Sequence, residues 1–425
     1  MRLTWSVSGA TWQLTIRLEG EESVVGIGQG GREVGLISDE CRVEFPLDLG
    51  DVSPDLRALA AVTVASPWLP RQVSFDEPVS SGFAEVLSED FGIETRTVDD
   101  SLRPRSGERV GLSYSSGADS IACSMLLPDD TPFIHFRRTS HPRVPNRATH
   151  FRADVQAELV RRAGEAGREV YVVVSDLEYL VSPFPSFPEW VTVALPVILM
   201  GDRLDLGGVG FGSILGARYL QNGRAFREPP SNDRWARLFD AAGLPHVRPT
   251  CGMSEVTTIS MAAASDLAPF VRSCALGGLD RPCLNCKKCL RKELTTAALS
   301  DQPLPSRLLS NLGPSHPAVT ELLEDPPYYF QHILEFGLPR LRGIEETFLA
   351  TTYRLLGEPD QASTEWVTRY FPPALENDIP ERFRGPIKER IERYVEYMTP
   401  QEERGVYEWD ALERVRARLE RSKPR

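Results

Sequence analysis

The chain has 425 residues, 41% hydrophobic and 25% charged, a composition of globular type and a length that suits two or three domains. A net charge of −12 argues against a broad, non-specific nucleic-acid surface, which rests on clustered Lys and Arg, but leaves room for a local basic pocket. No run approaches the ~18 consecutive apolar residues of a spanning helix, and the N-terminus alternates polar with apolar residues instead of forming a signal-peptide core. The expectation is therefore a cytoplasmic protein with no membrane partner.

Residues 1–105 read as β-rich. Trp12, Leu14, Ile16 and Leu18 alternate with Gln13, Thr15 and Arg17, the period of a half-buried strand. Glu19-Gly20-Glu21 turns toward a second strand, Ser23 to Ile27, and Gly28, Gly30 and Gly31 punctuate the chain after it. Ser81 to Phe91 has a helical pattern, and the polar stretch Ser101 to Glu108 is a candidate linker. Strands and helices then alternate. Val110 to Tyr114 is a strand, Ala118 to Leu127 a helix, Phe133 to Phe136 a strand, Phe151 to Ala166 a helix and Glu169 to Val174 a strand. Ser182 to Pro188 reads as an exposed Pro-rich loop, Trp190 to Met200 as a buried element, and Gly207 to Gly212 as a glycine-dense strand or turn. Trp235 to Ala242 and Cys286 to Leu299 are helical, as are Ile387 to Tyr397 and Trp409 to Leu419 in the polar region after Asp301. The alternation predicts an α/β fold around a central parallel sheet, with 1–105 a β-rich domain, 106–300 an α/β domain and 301–425 a helical domain.

Two motifs carry chemistry. Ser115-Ser116-Gly117-Ala118-Asp119-Ser120 lies between an apolar strand and a helix. Small residues let the backbone turn tightly, so that successive N–H groups and the positive helix end face an anion. Ser115 and Ser120 offer hydroxyl donors. Asp119 suits loop orientation or Mg²⁺, which takes oxygen ligands. The plainer alternative is a helix N-cap. The second motif is Cys274, Cys283, Cys286 and Cys289, the last three spaced by two residues, which lets four thiolates converge on tetrahedral Zn²⁺ in a closed, structural site. A redox dithiol and an iron–sulfur cluster are the rivals. Lys287, Lys288, Arg291 and Lys292 would offset the thiolate charge or face a pyrophosphate.

The hexapeptide resembles the SGGxDS signature of the PP-loop ATP pyrophosphatase superfamily, with Ser116 in a place where glycine is usual. The cysteine spacing, with Ser273 before Cys274 and Cys-Leu-Arg at Cys289 to Arg291, is similar to that of the 7-cyano-7-deazaguanine synthase family. The resemblance covers roughly 109–299. It implies a sheet of the adenine nucleotide alpha hydrolase, Rossmann-like type and makes 106–300 an ATP-binding domain. It also implies ATP, Mg²⁺ and Zn²⁺ as cofactors. The implied activity is adenylation of a carboxylate or related oxygen, with loss of pyrophosphate, before attack by ammonia or another nucleophile. Ser115 and Asp119 are the expected catalytic residues. Ser115, Ser116, Gly117, Ala118, Asp119 and Ser120 are expected to hold the nucleotide, together with Gly210 and Gly212 of the glycine-dense segment.

Weaker signals have plain alternatives. The glycines suit a tight strand, Ser254 suits an N-cap although Ser254 and Glu255 also suit a pocket lining, and Cys251 is either a sulfur-carrying nucleophile or a small buried hydrophobe. His135, Arg137 and Arg138 suit binding of phosphate or of a substrate carboxylate, or a solvated edge, and Cys41 and Cys123 the core. A small-molecule acceptor is expected. The alternatives are tRNA or a protein terminus, and a nucleotide-binding scaffold without turnover; a homodimer is among the open oligomeric states.

Overall fold

The computed structural model describes the chain apart from residues 21, 29–30, 105–106, 140–152, 184–185, 221–222, 228–232, 272–273, 275, 280, 314–315, 317–329 and 415–425. Glu21, Gly30, Ser273, the start of the Phe151 helix, parts of the expected linker and Pro-rich loop, and the end of the Trp409 segment thus lie outside the described residues. Two compact units result. The first comprises Met1–Ser115, Leu127–Phe211 and Ser231–Val247, and the second Ser116–Leu126, Gly212–Pro230 and Arg248–Arg425. These boundaries cut across expected divisions at 105 and 300.

The first unit is built on one ten-stranded sheet. Its strands are β1 (Arg2–Ser8), β2 (Thr11–Arg17), β3 (Glu40–Glu44), β4 (Gln72–Phe75), β5 (Glu94–Thr95), β6 (Arg109–Ser113), β7 (Phe133–Arg138), β8 (Val170–Ser175), β9 (Leu206–Gly210) and β10 (His246–Val247), in the spatial order β10-β9-β6-β7-β8-β3-β2-β1-β4-β5. The block β10-β9-β6-β7-β8 is parallel throughout. The mixed α/β architecture with a large, mostly parallel sheet is as expected.

The N-terminal strands continue that sheet. β8 pairs antiparallel with β3, Val174 opposite Glu44, and β3 and β1 flank β2. Alternation sets the register: Trp12, Leu14 and Ile16 are all buried, and Leu3 lies opposite Ile16. The β1–β2 hairpin turns at Gly9, whose φ of +58° is a left-handed conformation that glycine adopts without a Cβ clash. The segment from Ser101 does not separate the two units. Glu108 and Arg109 donate their amides to Asp205 of the same unit, and a Cβ on Gly107 would meet the Asp205 backbone at 2.3 Å.

One helix of this unit has no counterpart in the sequence expectations. Pro54–Ala65 begins with Pro at its first turn and is buried from Ala58 through Ala65. Ser81–Phe91 forms where its pattern places it, with the Ser80 hydroxyl accepting from Phe83 N–H and Gly92 closing it in the left-handed region.

The second unit is helical. Helix α1 (Ala118–Leu126) packs on α2 (Glu255–Ala264), α2 on α3 (Lys287–Ser300), and α3 on α4 (Gln331–Gly337). Leu290, Leu294, Leu308, Leu334 and Leu338 form its core. No helix among the described residues is long and apolar enough to cross a membrane.

Candidate functional site

The chain leaves β6 at Ser113 and enters α1 at Ala118. Between them Ser116 takes φ +57°, a conformation costly for a residue with a Cβ. Its side chain is buried, and its Oγ has no hydrogen-bond partner among the described residues. Ser115 is exposed, Gly117 is half-buried and Ala118 is buried. The expected Ser120 donor points elsewhere: its hydroxyl donates to the Gly117 carbonyl at 3.0 Å, a local bond within the turn.

Asp119 is oriented from α2, where Thr258 Oγ1 donates to its Oδ1 at 2.6 Å. Lys292 Nζ of α3 lies 3.9 Å from the same oxygen. Gly212 approaches this turn as closely as backbone allows, since a Cβ there would sit 2.7 Å from Ser120 N and 2.8 Å from the Asp119 carbonyl carbon. Gly210, expected beside the nucleotide, has apolar surroundings instead. A Cβ on it would meet the Leu127 and Leu112 side chains, so its bareness serves packing of β9.

The four cysteine sulfurs come together, all within 4.8 Å of one another. Cys283-Leu284-Asn285-Cys286 makes the tight turn, with Leu284 at φ +53° and Asn285 N–H donating to Cys283 Sγ at 3.4 Å. Cys286 caps α3, accepting from Cys289 N–H, and Cys274 Sγ accepts from Gly277 and Cys283 N–H. Inward N–H groups stabilise thiolates. The neighbouring Cys289 thiol and this cap pull Cys286 down to about 5, whereas burial pushes Cys283 up to about 11. Four converging sulfurs, two buried and two half-buried and already receiving N–H donors, fit a tetrahedral ion such as zinc.

Between loop and cysteines stands a buried ionic group. Glu255, wholly buried, is paired with both Lys292 and Arg291 of α3. Burial alone would raise its carboxyl, but the two cations outweigh it and hold it below the usual range. Glu255 is therefore committed to Lys292 and Arg291 and exposes no surface to a pocket. Ser254 is an N-cap, accepting from Val256 and Thr257 N–H and donating to the Val367 carbonyl at 2.6 Å. Glu293, one residue past Lys292, is half-buried, and burial raises its carboxyl.

Other candidates take the plainer alternative. Cys251 is fully buried and its thiol is pushed well up by burial, which removes the thiolate a sulfur carrier needs. Cys41 and Cys123 are core residues with raised thiols. In the first unit His135 is buried, bonded to the Tyr114 carbonyl at 2.9 Å and pushed down to about 4 by burial. Arg138 pairs with Glu178 at 3.4 Å and stacks on Phe187, leaving Arg137 as the exposed member of the trio.

Sequence reasoning missed Thr258, His332 and Asp378. His332 of α4 is fully buried among Phe330, Trp366 and Trp409, faces Glu255 and Arg291, and among the described residues has no hydrogen bond to either ring nitrogen. Asp378 collects Arg218, Arg248 and the Tyr219 hydroxyl in one buried cluster. Only a motif linking distant segments would have revealed these groups, and none is present in the local pattern.

A family model described as "Family of unknown function (DUF6395)" matches residues 234–410, the stretch that holds the cysteines, Glu255, Lys292 and His332. No curated protein matches the chain.

Proposed function

We propose that the chain is an ATP-dependent enzyme of the PP-loop pyrophosphatase type that adenylates a carboxylate or related oxygen of a small molecule. The observation that carries this reading is Ser116. A buried hydroxyl without a partner, on a residue held at positive φ directly before the N-terminus of a nine-residue helix, is costly unless a ligand uses it. A polyanion is the ligand such a helix end favours.

In this reading, N–H groups of Ser116 to Ser120 receive the ATP phosphates and the Ser116 hydroxyl donates to one of them. The acceptor's carboxylate oxygen forms a bond to the α-phosphorus. The bond from that phosphorus to the bridging oxygen breaks, and pyrophosphate leaves with its electron pair. Ammonia or another nucleophile then adds to the activated carbonyl carbon, AMP departs, and the nucleophile's proton passes to solvent or a base. Lys292 stabilises charge as it develops on the leaving group. Mg²⁺, when bound, neutralises phosphate charge, and Asp119 supplies an oxygen ligand for it. Cys274, Cys283, Cys286 and Cys289 hold zinc, which fixes the start of α3 and so the helix that carries Lys292.

The test is carboxylate-stimulated conversion of MgATP to AMP and pyrophosphate, with and without ammonia, for wild type and Asp119→Ala. Binding of MgATP without stimulated pyrophosphate release would turn the reading to a nucleotide-binding scaffold. No MgATP binding at all would remove it.

A further inference from the structure

A threonine inside a helix ordinarily turns its hydroxyl to the carbonyl three or four residues back. Thr258, on α2 and fully buried, has that partner within reach, the Glu255 carbonyl at 3.1 Å. It has a nearer one in Oδ1 of Asp119, 2.6 Å away and 139 residues distant in the chain. A hydroxyl carries one proton, and the shorter bond to a charged acceptor takes it. The proton of a fully buried hydroxyl is thus committed to one oxygen of one carboxylate.

The rest of Asp119 is constrained to match. Gly212 packs against its backbone so closely that a Cβ there would lie 2.8 Å from the Asp119 carbonyl carbon. Lys292 Nζ approaches the same Oδ1, at 3.9 Å. Both cationic and hydroxyl donors therefore converge on Oδ1, and among the described residues Oδ2 has no hydrogen bond or ion pair. The side chain keeps 31% of its surface exposed, so a carboxylate with one oxygen engaged remains accessible to a ligand. An oxygen donor of fixed orientation in the first turn of α1 fits a Mg²⁺ ion carried on a polyphosphate.

We propose that Thr258 is the positioning residue for the metal–nucleotide complex: by holding Asp119 through Oδ1 it reserves Oδ2 for the Mg²⁺ that accompanies ATP. The assignment rests on the ATP reading and deepens it, since it makes the site selective for the metal complex over the bare nucleotide. Mg²⁺ tolerates little departure from octahedral geometry, so a carboxylate free to swing about its side-chain bonds is a poorer ligand than a tethered one. Without the ion, Asp119 only repels the phosphates, whichever oxygen faces them, and the tether then has nothing to contribute.

The experiment is isothermal titration of the full-length, zinc-loaded protein with ATP in excess Mg²⁺ and with ATP in buffer free of divalent cations. Wild type binds the Mg²⁺ form more tightly. Thr258→Val, which replaces the hydroxyl by a methyl of similar size, weakens MgATP about 10-fold or more, the loss typical when a group that hydrogen-bonds a metal ligand is removed, and leaves metal-free ATP unchanged. Thr258→Ser keeps the hydroxyl and restores the preference. The ratio of the two affinities is taken within each variant, so partial unfolding, which weakens both, does not imitate the effect. Thr258→Ala is read in the same way should the valine variant not melt cooperatively. The proposal is overturned if removing the hydroxyl leaves the wild-type ratio intact, or if the serine variant behaves as the valine one does. Wild type that binds both forms equally also overturns it, while leaving ATP binding and the adenylation reading in place. Wild type that binds neither form removes both.

Discussion

Lys292 and Asp119 lie 3.9 Å apart, and Lys292 is at the same time ion-paired with the wholly buried Glu255. One ammonium therefore ties the first turn of α1, and Glu255 of α2, to the helix capped by Cys286. Replacing Lys292 by Met leaves Glu255 with Arg291 alone and Asp119 without its cation. Because Arg291 still compensates Glu255, the cost should stay below the roughly 3 kcal/mol of a buried charge left unpaired. The expected outcome is a lower melting temperature, weaker MgATP binding by titration, and unchanged zinc content. Unchanged MgATP affinity would separate Lys292 from the phosphates.

Metal analysis of the purified chain should return zinc at one equivalent, bound by four thiolates. Cys286→Ser should lower that content and destabilise α3, because the residue both donates a ligand and caps the helix. Chelation should do the same to wild type, read as a drop in melting temperature that added zinc reverses. Iron with visible absorbance would indicate a cluster instead.

Ser116→Gly relieves a left-handed residue and removes a buried hydroxyl without a partner. The relief is worth about 1 kcal/mol, so the free protein should melt higher. Affinity for MgATP should fall, since the hydroxyl is the group assigned to the phosphate. A variant that gains stability and binds as tightly as wild type would show that the hydroxyl has no ligand.

His332 sets a pH dependence. Burial, opposed by Glu255 and reinforced by Arg291, lowers its value from 6.5 to about 3. The unfolded chain therefore binds a proton that the folded chain refuses across that window. Its contribution is complete above 6.5 and is lost as pH falls toward about 3. His135, lowered to about 4 by burial, adds a smaller loss of the same sign. Denaturant melts from pH 7 to 4 should show stability falling with acidity, and His332→Phe should flatten the slope in part. An identical slope would place the titration elsewhere.

Local pattern made much of this legible. Alternation placed Trp12, Leu14 and Ile16 on the buried face of β2, and Ser80 with Gly92 framed the helix at Ser81–Phe91. Cysteine spacing identified four side chains that the fold brings together. Pro54–Ala65 escaped because it is buried on nearly every side, so no polar face gave it a period. Gly210 misled because strand packing and phosphate approach both favour a missing Cβ. Thr258 and His332 acquire meaning only from their neighbours in space, and those come from segments that are distant in the chain.

The pairing of β8 with β3 has a bearing on how the chain is made. Val174 and Ser175 hydrogen-bond to strands synthesised far earlier, opposite Glu44 and Val43. While the ribosome is still adding the intervening residues, the N-terminal meander waits with an open ladder, a template for pairing with the wrong chain. A gene shortened to begin at residue 106 would carry the same hazard permanently, with β8 as a raw border. Such a protein should accumulate as aggregates instead of yielding an isolated, folded remainder.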